Sequence, residues 1–170
     1  MQNGFSETGF FNEVVHYRRN FVESVHSIRR QSEGVYALLH FLNYERLQGR
    51  KHPEWEKRIK SMLDMFLRLQ NKDGSFPRKF KDDFSIVDKS GGSTPSATLP
   101  LVMGYKYFKD KRYLASAKHT VEYLEKELIS KSDYFLLLWM LIARIKRHLC
   151  MRQLPLTICY LCRLSLRNNP

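Results

Sequence analysis

Leu69-Gln70-Asn71-Lys72-Asp73-Gly74-Ser75-Phe76-Pro77 is the stretch on which the architecture turns. Asp73-Gly74 and Pro77 are strong turn signals, so a helix stops before them. Upstream, Trp55, Ile59, Met62, Leu63, Phe66 and Leu69 recur at helical spacing, and Glu54, Glu56, Lys57, Arg58 and Lys60 take the other side. Pro53 suits the first turn of that helix. Downstream, Gly91-Gly92 repeats the turn signal, and Thr94-Pro95 reads as an N-cap followed by proline at the first helical position. The spacing therefore predicts two helices separated by a long loop over residues 71–92.

The same reading extends in both directions. Pro95 to Phe108 is apolar round most of its circumference, with Pro100 expected to bend or delay the helix. Arg112 to Ile129 is amphipathic, with Leu114, Ala117, Val121, Leu124 and Leu128 as its stripe and Lys118, Glu122 and Lys126 as an i, i+4 ladder. Toward the N-terminus, Glu33 to Leu47 is again apolar all round, behind Ser32 as N-cap. Phe11, Val14, Val15, Val22, Val25 and Ile28 predict one more amphipathic helix over Phe11 to Ile28. Five helices alternating between striped and all-round apolar imply buried inner helices covered by outer ones. The predicted class is all-α: antiparallel helical hairpins over residues 1–135, forming an incomplete (α/α)6 toroid, with the second and fourth helices most buried. An irregular helical bundle is the other arrangement open to this pattern. A loop of about twenty residues inside a helical domain is either functional or disordered.

Composition narrows the function classes. Hydrophobic residues at 43% and aromatics at 13% exclude a disordered chain. No stretch reaches the roughly 18 apolar residues of a membrane span, which argues against a membrane partner. Met1 to Phe5 has no secretory-signal pattern, and localisation stays open. The phosphate-loop, dinucleotide and nucleophile-elbow patterns are missing. The six histidines are dispersed without metal-ligand spacing, so neither a metal nor a cofactor is called for. The basic residues of the body are interspersed with acids, which does not make a nucleic-acid stripe.

The stretch from Leu69 to Pro77, together with Gly91-Gly92-Ser93-Thr94-Pro95-Ser96-Ala97-Thr98, resembles the helix-end and loop segments of six-hairpin (α/α toroid) glycosidases. The resemblance covers about residues 30–135. It implies carbohydrate, an oligo- or polysaccharide, as the partner at the loop face. The candidate substrate-binding residues it implies are Asp73, Phe76, Arg78, Asp83, Asp88 and Thr94. Asp82, Phe80, Phe84 and Lys79 lie beside them: carboxylates for sugar hydroxyls, rings for sugar faces, cations for an acidic sugar. Glycoside hydrolysis needs two carboxyls about 5 to 9.5 Å apart, and the sequence pairs none, so the catalytic residues stay unassigned. Each loop aspartate is also a good turn former in its own right. Gln70, Gly74 and Phe76 resemble, in addition, the Gln-x-x-x-Gly-x-aromatic repeat of terpenoid cyclases and prenyltransferase-like proteins, where these positions are structural. A non-enzymatic helical carbohydrate-binding protein is the third reading.

Residues 136–170 differ from the body. They hold six of the 29 basic residues, none of the 17 acids and all three cysteines. Phe135 to Ile142 is an apolar run, and Cys159 and Cys162 make a lone Cys-x-x-Cys, a weak metal or redox signal. A membrane-surface helix, a partner-binding basic helix and an out-of-frame tail are the competing readings. Shifting the reading frame allows an acidic Leu-Asp-Ala segment followed by an Ala- and Tyr-rich apolar helix. The expectation is a frameshifted tail on a truncated piece of a larger carbohydrate-active enzyme, with the piece itself inactive.

Overall fold

The computed structural model describes residues 4–6, 8–16, 18 and 21–129. The tail expectations, including Phe135 to Ile142 and the cysteines, lie outside them. In chain order the elements are β1 (Val15–His16), β2 (Phe21–Val22), β3 (Val25–Ser27), α1 (Ile28–Leu47), α2 (Pro53–Leu69), β4 (Lys79–Lys81), β5 (Ile86–Asp88), α3 (Thr94–Phe108) and α4 (Lys111–Tyr123), which runs on into a π-helical turn, Leu124–Ile129.

This overturns the all-α class and the incomplete toroid expected from it. Among the described residues there are four α-helices and a three-stranded antiparallel sheet in the order β3-β4-β5. Two segments account for the difference. Residues 11–16 and 21–27 form no α-helix: β1 pairs with β2, and β3 pairs with β4 through Val25–Lys81, His26–Phe80 and Ser27–Lys79. The valines at 14, 15, 22 and 25 are β-branched and favour the pleat, and Arg18 and Arg19 interrupt the apolar stripe where a helix would need it. The expected loop over residues 71–92 contains the β4–β5 hairpin, which turns through Phe84 at φ 67°.

Helix α1 therefore starts at Ile28, and Ser32, expected as its cap, is buried inside it. Glu13 reaches the junction instead, accepting from the Ser27 amide at 2.5 Å and from Gln31 Nε2 at 2.9 Å. At the far end, Glu45 receives Arg50 and His52, whose hydrogen bonds push its carboxyl down to about 2. Pro100 lies within α3, which continues past it to Phe108. Asp110 caps α4 through the Arg112 amide.

Side-chain pairs fix the helix directions. Arg46 lies 4.5 Å over the Tyr107 ring, so the C-terminal ends of α1 and α3 meet and the two run parallel. Asp64 meets Tyr113, and Gln70 meets Thr120, so α2 and α4 run parallel as well. The core lies between them, centred on Leu39, Leu42, Leu63, Phe66, Leu101 and Tyr113. Each such side chain contributes ~1.5–3 kcal/mol by leaving water. Gly104 lets α3 approach α2: a Cβ there would stand 2.5 Å from Leu63 Cδ1. Gly34, which costs α1 ~1 kcal/mol relative to alanine, leaves the seat in which the Phe11 ring rests. Helix α1 is not covered all round, for Phe41, Tyr44 and Leu47 stay exposed.

Candidate functional site

The six candidate residues fall into two groups. The first belongs to the turn after α2. Asp73 Oδ1 accepts from the Ser75 amide at 3.0 Å and from its hydroxyl at 2.6 Å, and the hydroxyl bond holds the Asp73 carboxyl below its ordinary range. Gly74 sits at φ 91°, where a Cβ would run into the His119 carbonyl. Phe76 is fully buried, with its ring edge-on to Phe66. Thr94, also fully buried, accepts from the Phe76 amide at 2.9 Å and donates to its carbonyl at 3.3 Å. Gln70 completes the knot. Its Nε2 donates to the Gly74 carbonyl, the Ser116 carbonyl and Thr120 Oγ1, and its Oε1 accepts from the Ser116 hydroxyl. Phe76 and Thr94 thus face the core, and Asp73 forms its own turn.

The second group lies on the β4–β5 hairpin. Asp83 accepts from the Ser85 amide at 2.8 Å, and Asp88 from the Ser90 amide at 2.9 Å. Serine hydrogen bonds hold both carboxyls below their ordinary range. Arg78, largely exposed, stands 3.6 Å from Asp88 and donates its amide to the Asp88 carbonyl. A general acid for glycoside cleavage needs a raised pKa; Asp73, Asp83 and Asp88 are all shifted the opposite way. Phe80 is buried under the sheet.

An open cleft of about 220 Å³ lies beside the hairpin. Thr8, Gly9 and Phe10 form one wall, α2 supplies Ser61, Met62, Asp64, Met65 and Arg68, and Phe84 closes the end. The Arg68 guanidinium lies 4.0 Å over the Phe84 ring. Asp64 accepts from the Tyr113 hydroxyl at 3.0 Å and from Arg112 at 3.2 Å. Burial, then Asp64, raises the Tyr113 pKa, so that phenol stays a donor.

Thr8 connects the cleft to a pair made of the buried His26 and the half-buried Asp82. Its hydroxyl donates to Asp82 Oδ1, which also meets His26 Nε2 at 2.9 Å. Burial works against the Asp82 carboxylate, but the Thr8 and His26 hydrogen bonds outweigh it and the pKa falls. His26 is buried against Phe10 and Phe80, and its Nδ1 has no hydrogen-bond partner among the described residues. Of these residues the sequence reading singled out Asp82, Phe80 and Phe84 for ligand contact and Met62 for the α2 stripe. Thr8, His26, Ser61, Asp64 and Arg68 carry no motif. The one local signal is Ser61, Asp64 and Arg68 at helical spacing along the edge of the α2 stripe. Among the described residues no three metal-ligating side chains gather into a cluster. No protein-family model matches the chain, and no solved structure matches it.

Proposed function

We propose that this chain is the glycan-contacting part of a glycoside hydrolase-like protein, and that residues 4–129 bind carbohydrate without hydrolysing it. The observation that carries the reading is the cleft. A sugar ring presents an apolar face and a rim of hydroxyls, and the cleft sets Phe84 and two methionines beside the Thr8 and Ser61 hydroxyls, the Asp64 carboxylate and the Arg68 guanidinium. The loop aspartates Asp73, Asp83 and Asp88, each held below its ordinary range by serine hydrogen bonds, do not fit the general-acid role that glycoside cleavage requires, which supports binding over hydrolysis. The cation that the cleft itself holds, Arg68, favours an acidic sugar over a neutral one.

The test is titration calorimetry of the purified chain with oligogalacturonate and with maltohexaose. Binding of the acidic oligomer is expected, weakened at least tenfold in Phe84→Ala and Arg68→Ala, with no reducing ends released. Hydrolysis, or binding indifferent to both variants, overturns the reading. One observation favours a second reading: Gln70, Gly74 and Phe76 act as structural residues, as the likeness to terpenoid cyclases implies. Binding of geranylgeranyl diphosphate with no binding of either sugar would select it.

A further inference from the structure

Residues 4–6 and 8–12 lie over the body. Their backbone hydrogen bonds close on themselves: Ser6 to Phe10, Gly9 to Ser6, Asn12 to Gly4, with a bridge between Phe5 and Phe11. What ties them to the body is side chains. Gln31 grips the Phe11 backbone from both sides, its Oε1 accepting from the amide at 2.9 Å and its Nε2 donating to the carbonyl at 2.8 Å. Arg58 lies 4.7 Å over the Phe5 ring. Thr8 donates to Asp82. The Phe11 ring fills the space over Gly34, so close that a Cβ there would stand 2.6 Å from it.

Two features show what this segment covers. Phe10, 3% exposed, lines the cleft and packs on His26 at 4.8 Å between centroids. His26 keeps behind it a buried Nδ1 with no hydrogen-bond partner among the described residues, and an unsatisfied buried nitrogen disfavours the closed arrangement. A segment held by side chains and sealing such a group is drawn from the low-stability end of local opening.

We propose that residues 4–6 and 8–12 are a strap latched by Phe11 on Gly34, which on lifting joins the cleft to the His26–Asp82 pair and offers that pair to a sugar hydroxyl. Gly9, at φ 94°, stands at the bend of the strap. With the strap raised, Thr8 leaves Asp82 Oδ1 free to accept, and His26 Nδ1 meets solvent or ligand. The ligand class rests on the carbohydrate reading above; the latch does not.

The experiment needs no sugar. The full chain is treated with diethyl pyrocarbonate, and modification of each histidine is followed by mass spectrometry. His26 is expected to react far more slowly than the exposed His40. In Gly34→Ala the flexible Phe11 ring gives way and the helix does not, since alanine favours it. His26 reactivity is then expected to rise at least tenfold with His40 and the far-ultraviolet helical signal unchanged. Phe11→Ala, which empties the seat without touching α1, is expected to do the same. Unchanged protection of His26 in both folded variants overturns the strap. So does loss of the helical signal in both, which would make residues 4–6 and 8–12 part of the core. Raised reactivity without binding of oligogalacturonate or maltohexaose leaves the strap standing and defeats the carbohydrate reading alone.

Discussion

The turn after α2 and the N-terminal strap are both built on Phe, Ser and Gly, each tied to the rest of the chain by a glutamine and a threonine, and use them in opposite ways. In the turn, Gln70, Phe76 and Thr94 are all directed inward, and their hydrogen bonds link α2, α3 and α4. In the strap, Phe10 and Thr8 face a cleft, and the ties to the body are the Gln31 fork, a pin on Asp82, and ring contacts. The difference teaches that the motif most visible in the sequence is a structural joint. The groups lining the cleft come from the strap, the edge of α2 and Phe84, and outside the hairpin they carry no motif.

That contrast is open to measurement. Phe76→Ala is expected to cost the most, ~3–5 kcal/mol of unfolding free energy by denaturant titration, because a fully buried ring leaves a cavity. A loss below ~1 kcal/mol would show the turn to be as loosely held as the strap. Gln70→Ala takes their partner from the Ser116 hydroxyl and the Gly74 carbonyl, while Thr120 Oγ1 still donates to the Ser116 carbonyl, and a loss of ~1–3 kcal/mol is expected. Thr8→Val, its counterpart on the exposed strap, is expected to cost under ~1 kcal/mol by the same titration. The smallest effect is on acidification. The Asp82 carboxyl lies below its unfolded value of 3.8, so the stabilisation it lends the strap is present above that value and lost as pH falls through the folded one. Amide-exchange protection of residues 8–12 is expected to decline in that window in the wild type. In Asp82→Asn the pH dependence is expected to vanish; its persistence would place the pin elsewhere.

The helix starts at Pro53 and Thr94-Pro95 were legible because each carries a proline with its φ already set, whereas the start of α4 was read near Arg112 from its stripe and its Asp110 cap was not singled out. The expected helix over Phe11 to Ile28 failed because the same valines suit either period, and a strand partner at Lys79–Lys81 decided between them. Asp73, Asp83 and Asp88 were legible as turn formers, and that is how they serve. Phe76 and Thr94 were misread as ligand-facing, since a residue next to a turn carries no mark of which way it points.

The sequence by itself determined where helices α2, α3 and α4 begin, where the chain turns, and which stripes of α2 and α4 are apolar. These follow from dihedral preferences and spacings within a few residues. Only the tertiary structure decided that residues 25–27 join a sheet, that Phe11 rests on Gly34, and that His26 meets Asp82 across 56 positions. Such contacts depend on closing long loops, and the free energy that selects them is shared among groups with no local relation to one another.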